Sequence, residues 1–392
     1  MKPLIPKIPT IAVTGSAGKS TTTAFIYSIL KMRWNVLKTK RNQNLPQHTK
    51  RMVNSIKPSH QAIVLEMGLG RDAGKNHFMH IQPNIGAITN IGSAHFGKLG
   101  NSIESTARKK SVLIRHLHPK GKLVINKDDK NSKLLHTEKL KGKLITVGIK
   151  NKANYQAENV KYTGEGMTFQ VKIKNNLETF FIPTFGHHNV LNALFAIAIA
   201  DNLHFSVNEI REGLKKCNMP SRRLNVINLR HQSLLIDDTF NANPQSVKSA
   251  VEVLKNVGKN KKKVVVLGSM LELGSYSPIA HEQIGEYLAD NQIDMIYTYG
   301  HKAKTIAETA RKNGFPQEKI FPFTNRTALH KKLKQHFSSN SAFLVKGSHR
   351  MSMKETSEFI AHYSTKFSNN SNRHSTPSKK RKRAKKKKAS KK

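Results

Sequence analysis

The sequence predicts two α/β domains, each built on a mostly parallel sheet. Short apolar runs rich in β-branched residues alternate with helix-length segments along most of the chain, and this alternation is typical of sheets whose crossover helices cover both faces. Alternating hydrophobicity at about 143–183 and a hinge-like segment at 217–226 interrupt the pattern. The 392 residues suffice for two hydrophobic cores.

The first domain begins with a predicted strand at Thr10–Val13, which enters a glycine-rich loop. From Lys19 to Met32 the apolar residues recur at helical spacing, so a helix follows the loop. Further strands are predicted at 62–68, 85–92 and 121–129, with a helical pattern at 102–116. Three segments between 143 and 183, LITVGI, MTFQVKI and TFFIPTF, predict a small antiparallel addition.

Two helical segments, at 186–203 and at 206–216, precede the hinge. Beyond it, strands separated by helix-length segments are predicted at 233–238, 263–269, 294–300 and 342–348. We therefore predict a first domain at 1–221, a Rossmann-like second domain at 222–363 and a tail at 364–392.

The tail is rich in Ser, Asn and Lys, and its 13 Lys/Arg residues have no acidic residue among them. Such a composition cannot bury enough apolar surface to fold, so we predict a disordered polybasic tail. The net charge of the whole chain is +44, and 55 basic against 24 acidic residues remain without the tail. A polyanionic partner bound through counterion release is one interpretation. The other is a solubilising tail on a protein from a lysine-rich proteome.

Cysteine and hydropathy patterns indicate the compartment. Cys217 is the single cysteine, which excludes an internal disulfide and fits a reducing environment. No apolar run approaches the roughly 20 residues that a membrane span needs, and the N-terminus lacks the apolar core of a signal peptide. We therefore predict a cytoplasmic protein without an integral membrane segment.

The loop at 14–21, TGSAGKST, has the chemistry of a phosphate site, although Val13 stands where the G-x-x-x-x-G-K-S/T pattern has its first glycine. Backbone N–H groups from Gly15 to Lys19 can converge on a phosphate at the start of the helix. Lys19 supplies a point charge, and the hydroxyl of Ser20 or Thr21 can hold Mg²⁺. The flanking strand and helix favour this interpretation over a surface turn. The predicted nucleotide-binding residues are Gly15, Ser16, Ala17, Gly18, Lys19, Ser20 and Thr21, in a domain of the P-loop ATPase type.

The same loop resembles the T-G-S/T-x-G-K-S/T-S/T loop of the Mur ligases, and further motifs of that family follow in order. They are VLEMG at 64–68, ITNIGSAHFGKLGNSIESTARKKSVLI at 88–114, GHHNVLNALFAIA at 186–198, IDDTFNANPQS at 236–246, VLGSMLELG at 266–274 and VKGSHRMSM at 345–353. Together they extend over nearly all of 11–354. The residues of these motifs are most similar to those of the branch that adds D-alanyl-D-alanine to the UDP-muramoyl tripeptide.

The resemblance implies an ATP-dependent, ADP-forming amide ligase of cell-wall peptidoglycan synthesis. A substrate carboxylate is phosphorylated to an acyl phosphate, and an amine then displaces phosphate, with Mg²⁺ as cofactor. The alternative is an ATP-binding protein without ligase activity that binds a polyanion through its basic surface. The joint presence of Lys19, Glu66, His95, Lys110 and Asp238 favours the ligase, because a binding module has no need of the metal set.

The resemblance also implies roles for individual residues. Glu66, at the end of a predicted strand, is a magnesium ligand together with Ser20, and His95 lies near a second metal. Lys110 matches a lysine that is often carbamylated and can then hold that second Mg²⁺. Because Lys109 is adjacent, either lysine can be the one that matches.

Four further residues are implied on the nucleotide side. Asn189 and Asn192 share a helix face and suit the adenine edge, although Asn189 can instead cap the helix. Arg223 matches a hinge arginine that stabilises transferring phosphoryl charge, and Arg222 stands where the family usually has glycine. Asp238 resembles an aspartate that contacts the nucleotide ribose.

Only about a dozen residues precede the loop. We therefore expect no separate N-terminal uridine-nucleotide domain in this sequence. The partners that the resemblance implies are a small-molecule or peptide carboxylate and an amine, and the sequence identifies neither.

Overall fold

Two sheets joined by a hinge make up the protein, and they confirm the predicted fold class. The computed structural model describes residues 3–40, 43–70, 73–94, 96–337 and 340–371. The strands are β1 (Thr10–Thr14), β2 (Val36–Lys38), β3 (Ala62–Glu66), β4 (Ile85–Ile88), β5 (Lys122–Asn126), β6 (Lys143–Gly148), β7 (Tyr155–Tyr162), β8 (Met167–Ile173), β9 (Asn176–Ile182), β10 (Asn225–Asn228), β11 (Leu234–Asp238), β12 (Lys262–Gly268), β13 (Met295–Tyr299), β14 (Ile320–Phe323) and β15 (Ser341–Lys346). The helices are α1 (Lys19–Leu30), α2 (Pro46–Val53), α3 (Ala73–Phe78), α4 (Ile103–Lys110), α5 (Val112–Arg115), α6 (His187–Asp201), α7 (Val207–Lys215), α8 (Pro244–Val257), α9 (Ser277–Ala289), α10 (Lys304–Lys312), α11 (Arg326–Leu333) and α12 (Lys354–Ser371).

The first sheet has the order β2-β3-β1-β4-β5-β6-β7-β8-β9. Strands β2 to β6 are parallel, β7 joins β6 through two parallel residue pairs, and β7, β8 and β9 form an antiparallel meander. The antiparallel addition is thus confirmed for β8 and β9, but its first predicted strand, LITVGI, was assigned wrongly. That segment is β6, which is fully parallel to β5. The sequence of β7, YQAENVKY, is mostly polar, so it did not indicate that this segment is a strand of the sheet.

The second sheet has the order β10-β11-β15-β12-β13-β14, and only the pair β10–β11 is antiparallel. Its four predicted strands correspond to β11, β12, β13 and β15. The sequence did not reveal β10 and β14, which lie at the two edges and have four residues each. Edge strands bury less surface than central ones, so their apolar pattern is weaker.

Helices α1 and α6 pack together against the first sheet, and their buried side chains belong to one core cluster. Most of α6 is buried, from Asn189 to Ala200, which explains its nearly continuous apolar sequence. This packing places the N-terminal end of α6 beside the loop that precedes α1. The geometry of the site therefore depends on this helix pair.

The predicted boundary between the domains, 221/222, falls between α7 and β10. The predicted start of the tail at 364 lies inside α12, so the helix continues eight residues further, to Ser371, than the composition indicated. Residues 372–392 lie outside the described structure, and polyanion binding through them stays a prediction. Within the described ranges, no helix combines the length and the hydrophobicity needed to cross a bilayer.

Candidate active site

A cavity of about 550 Å³ lies between the two domains. The carboxyl ends of β1, β3, β4 and β5 face it from the first sheet, and those of β11 and β15 face it from the second. In open α/β sheets, ligands bind at this edge. The predicted loop residues from Ser16 to Thr21 line the cavity, as do Glu66, Asn189, Asn192, Arg223 and Asp238.

The glycines of the loop are required by close contacts. Gly18 has φ +81° and precedes α1, and a Cβ atom on it would lie 2.3 Å from Asn192 Oδ1. A Cβ atom on Gly15 would lie 1.9 Å from Thr89 Oγ1. Val13, in contrast, is a fully buried residue of β1. The loop is therefore complete without a glycine at that position, because the strand extends to Thr14.

Asn90, which sequence reasoning did not select, holds the loop in place. Its side-chain Oδ1 accepts hydrogen bonds from the backbone N–H groups of Ser16 (3.1 Å) and Ala17 (2.9 Å). The neighbouring Thr89 donates its hydroxyl to the Ala17 carbonyl at 2.5 Å. We expected those two N–H groups to face a phosphate, but here they are occupied within the protein. The first-turn N–H groups of α1, which have no acceptor inside the helix, remain for an anion.

Asn90→Ala should raise the KM for ATP about 10-fold, because it removes two hydrogen bonds that hold the loop, each contributing about 0.5–1.5 kcal/mol. We expect kcat to fall less than the affinity, since the reacting groups stay in place. Titration with ADP measures the binding loss directly. Asn256→Ala, at an exposed position of α8, serves as the matched control. Unchanged ADP affinity in Asn90→Ala would show that the loop holds its shape without this amide.

Glu66 lies at the centre of a set of hydrogen bonds that links the nucleotide loop to the second domain. Its carboxylate accepts hydrogen bonds from Ser20 Oγ (2.7 Å) and from Asn44 Nδ2 (3.0 Å). The Ser20 hydroxyl in turn accepts one from the Arg223 guanidinium at 2.9 Å. Arg223 belongs to the second domain, so the contacts from Arg223 through Ser20 to Glu66 bridge the cavity. No motif pointed to Asn44, because only the fold brings it beside Glu66.

The Lys19 ammonium lies among opposing charges. Its Nζ donates to the Gly15 carbonyl at 2.8 Å. Burial lowers the pKa of Lys19, the negative charge of Glu66 opposes this effect, and the positive charge of Arg223 adds to it. Two cations thus lie near one carboxylate on this side of the cavity, an arrangement that favours a bound anion.

Burial distinguishes the two adjacent lysines at the end of α4. The side chain of Lys110 is buried, whereas Lys109 is partly exposed. Burial and then the positive charge of Lys19 lower the pKa of Lys110 to about 7. In the described part of the chain, no hydrogen bond or ion pair involves the Lys110 ammonium. Its electrostatic contact with Lys19 supports Lys110 as the residue that belongs to the site.

On the second domain, Asp238 and Lys346 form a buried ion pair at 2.5 Å. Lys346 also donates to the Asn241 carbonyl, and the backbone N–H of Leu224 donates to Asp238 Oδ1 at 3.3 Å. These bonds hold the aspartate at the cavity wall and couple it to the hinge. Nearby, burial lowers the pKa of His188 to about 4, so its imidazole is neutral at pH 7.

The two helix amides, Asn189 and Asn192, are bound inside the protein. Asn192 donates to Asn189 Oδ1 at 3.1 Å and accepts from the Thr22 hydroxyl at 3.2 Å, and Asn189 donates to the Phe185 carbonyl at 2.8 Å. The shared helix face is thus present, and it ties α6 to α1. Asn189 does not cap the helix, because Gly186 occupies the cap position. Their contact with adenine stays a prediction.

Metal ligation by His95 falls on a residue outside the described ranges. Among the residues that are described, no group of three or more His, Cys, Asp or Glu side chains is placed to hold a metal ion. Ser20 and Glu66 do bring two oxygen atoms within 2.7 Å of each other at the cavity wall. Mg²⁺ commonly takes one or two carboxylates and completes its shell with phosphate oxygens and water. The pair fits an ion that takes its other ligands from a nucleotide.

Comparison with known proteins agrees with this geometry. Residues 13–200 match the Mur ligase middle domain, and residues 222–349 match the Mur ligase glutamate ligase domain. The UDP-N-acetylmuramoyl-tripeptide–D-alanyl-D-alanine ligase of Bacillus subtilis is 32% identical over 346 residues, which cover 88% of this chain and 74% of that protein. The chain belongs to the Mur ligase family.

Solved structures of other Mur ligases share the fold. MurF from Acinetobacter baumannii superposes with a TM-score of 0.81 at 29% identity, covering 90% of this chain and 76% of that one. MurF from Thermotoga maritima in complex with ADP gives a TM-score of 0.79 at 24% identity, over 92% and 81% of the two chains. This Mur ligase thus spans about three quarters of the length of such relatives.

The hinge of this Mur ligase carries a backbone conformation that suits glycine. Arg222 has φ +59°, in the left-handed region, where glycine is the usual residue and another side chain costs on the order of 1 kcal/mol. The Arg222 carbonyl accepts the N–H of Phe240 at 3.1 Å, and the Arg223 guanidinium lies 4.0 Å from the centre of the Phe240 ring. These contacts hold Arg223 toward the cavity despite the substitution.

Proposed function

We propose that this Mur ligase is an ATP-dependent, ADP-forming amide ligase of peptidoglycan synthesis. The observation that carries the proposal is the chain of contacts from Arg223 through Ser20 to Glu66, by which both domains complete one cavity. The names of the relatives support a UDP-N-acetylmuramoyl tripeptide as the acid and D-alanyl-D-alanine as the amine.

In the first step a carboxylate oxygen of the acid attacks the terminal phosphorus of ATP, and the bond from that phosphorus to the ADP oxygen breaks. Negative charge spreads over the transferring group. Lys19 and Arg223 place positive charge beside it, one from each domain, and the first-turn N–H groups of α1 add dipoles. Because these donors are positioned beforehand by Asn90 and Glu66, little reorganisation is needed when the reaction occurs.

In the second step the amine nitrogen attacks the carbonyl carbon of the acyl phosphate. A tetrahedral intermediate forms and collapses as the carbon–oxygen bond to phosphate breaks. The nitrogen loses one proton, which the departing phosphate can carry. Closure of the cavity between the domains protects the acyl phosphate from water. Beside the cavity the Gly97 N–H donates to the Glu272 carbonyl at 3.2 Å, and the backbones of Gly97 and Gly274 lie too close for a Cβ atom on either residue.

A divalent cation fits the pair Ser20 and Glu66, and when bound it supplies charge that neutralises the phosphates. The protein's part is to present these two oxygens. Asn44 fixes the orientation of the Glu66 carboxylate through its amide. Arg223 donates to the same Ser20 hydroxyl, so its guanidinium would lie beside a cation held there.

The Lys110 amine suits carbamylation. Its lowered pKa makes the neutral amine abundant near pH 7, and only a neutral amine adds to CO₂, forming a nitrogen–carbon bond as one proton leaves. The carbamate replaces a buried positive charge, which no described residue pairs, by a negative one that faces Lys19. Burial and this electrostatic partner support Lys110 over Lys109 as the modified residue.

The deciding experiment uses UDP-N-acetylmuramoyl tripeptide labelled with ¹⁸O in its terminal carboxyl group. With ATP, Mg²⁺ and D-alanyl-D-alanine, we expect phosphate release that needs all substrates, and one ¹⁸O atom in the released phosphate. The label transfers because the attacking carboxylate oxygen stays with phosphorus when the amide forms. Turnover without label in the phosphate would exclude the acyl phosphate. Phosphate release with none of a panel of acids and amines would exclude the ligase.

A further inference from the structure

A second cavity, of about 400 Å³, lies where the parallel sheet passes into the antiparallel meander. None of the residues that line it lines the active-site cavity. We call it the meander groove, and it is lined by Lys143, Ile145, Lys152, Ala153, Asn154, Tyr155, Gln156, Glu158, Lys172, Lys174, Asp201 and Asn202.

Four lysines reach the meander groove from three segments of the chain. Lys143 begins β6, Lys152 lies in the loop before β7, Lys172 lies in β8, and Lys174 lies in the turn before β9. All four are exposed, and no described residue forms an ion pair or a side-chain hydrogen bond with any of their ammonium groups. Residues far apart in sequence thus converge, which a run of lysines on one helix would not produce.

The carboxylates of the groove do not balance these charges. Asp201 is engaged by the Tyr155 hydroxyl, which donates to it at 2.5 Å and accepts from Asn202 at 2.9 Å. Glu158 is the second carboxylate of the lining. Burial, followed by the hydrogen bond to Asp201, raises the pKa of Tyr155, so the hydroxyl keeps its proton. The lining therefore keeps an excess of positive charge, because four lysines face the two carboxylates Asp201 and Glu158.

A fifth lysine adds to the positive potential. Lys122 donates to the Asn202 carbonyl at 3.0 Å, next to the groove. Burial and then the charge of Lys143 lower the pKa of Lys122, so these two ammonium groups repel each other. A site that holds like charges in proximity gains stability when an anion enters it.

We propose that the meander groove binds a multivalent anion that carries phosphate groups. The lining contains lysines and no arginine. A lysine is a common binder of phosphate, which it contacts as a point charge without the fixed planar geometry of arginine. Convergence from three segments suits a compact ligand with several charges. The two cavities share no residue, so the groove can be altered without changing a residue that lines the active site.

Inorganic tripolyphosphate is the probe, titrated by calorimetry into the full chain saturated with ADP so that the nucleotide cavity is filled. The groove variant is Lys152→Gln/Lys172→Gln, and the matched control is Lys312→Gln/Lys319→Gln, which removes the same charge from exposed positions of the second domain. We expect the tightest binding step to weaken at least 10-fold in the groove variant and less than 2-fold in the control. Lys172→Arg, which keeps the charge, should bind within about 3-fold of the parent chain.

The outcomes separate specific binding from general attraction. Equal weakening in both double variants would overturn the proposal, because the tail and net charge alone would then hold the probe. Citrate binding as tightly as tripolyphosphate would overturn the assignment to phosphate. Vesicles containing phosphatidylglycerol distinguish a lipid headgroup from a free phosphate compound as the source. ADP binding, measured separately, and phosphate release should be unchanged in the groove variant, so a failure of the ligase assignment is recognised independently.

Discussion

Lys19→Ala should lower kcat/KM for ATP-dependent phosphate release about 100- to 1000-fold, the usual effect of removing a donor to developing charge in a protected site. Lys19 lies at the cavity wall beside Glu66 and Arg223. Its removal takes away one of the two cations beside Glu66. We expect kcat and the affinity for ATP to fall together, since the ammonium is placed to contact the phosphates in the ground state and to interact more strongly with the charge that develops in the transition state.

Lys31→Ala is the matched control, because Lys31 follows the same helix and is exposed at its far end. Its activity should remain within about 2-fold of the parent chain, as expected for a surface substitution. Thermal unfolding of both variants shows that the fold is retained. Full activity in folded Lys19→Ala would contradict both the ligase assignment and the role of the loop.

Lys110→Ala should reduce phosphate release about 100-fold and abolish any response to CO₂, because a carbamate cannot form. In the parent chain, we expect activity to fall when CO₂ is removed and to recover when it is restored. The pKa of about 7 gives the direction of the pH dependence. Below pH 7 the amine is mostly charged and unreactive, so at constant CO₂ pressure activity rises through about pH 7 and then levels off.

Lys109→Ala tests the alternative register. Lys109 is partly exposed, whereas Lys110 is buried and feels the charge of Lys19. We expect Lys109→Ala to keep its response to CO₂. A parent chain that is indifferent to CO₂ would remove the carbamate from the mechanism. Loss of the response in Lys109→Ala alone would transfer the role to Lys109.

The order of elements and the nucleotide loop could be predicted because both depend on local chemistry. Strand, glycine loop and helix follow one another within about 20 residues, and the φ angle of Gly18 is a property that the residue type allows. Glu66 ends a strand with five buried residues, and parallel strands present their carboxyl ends at one edge. Such features need no knowledge of distant partners.

The polar side chains that hold the nucleotide loop and Glu66 in place could not be predicted in the same way. Asn44 occurs in a segment without a signal of its own, and nothing within the motif at 88–114 singles out Asn90. Their amides contact Glu66 and the loop only after the sheet has formed. Which of the two lysines, Lys109 or Lys110, belongs to the site likewise depends on which side of α4 is buried. Sequence spacing leaves two neighbours equivalent, whereas burial distinguishes their pKa values.

The sequence by itself determined the fold class, the phosphate loop and the identity of most charged groups at the sheet edge, because periodicity and residue type act over short distances. Only the tertiary structure decided which groups meet. Arg223 contacts Ser20 across 203 positions of sequence, and Lys346 pairs with Asp238 across 108. The four lysines of the meander groove also meet only through the fold. Electrostatic and hydrogen-bond interactions depend on distance in space, and packing of the two domains sets those distances.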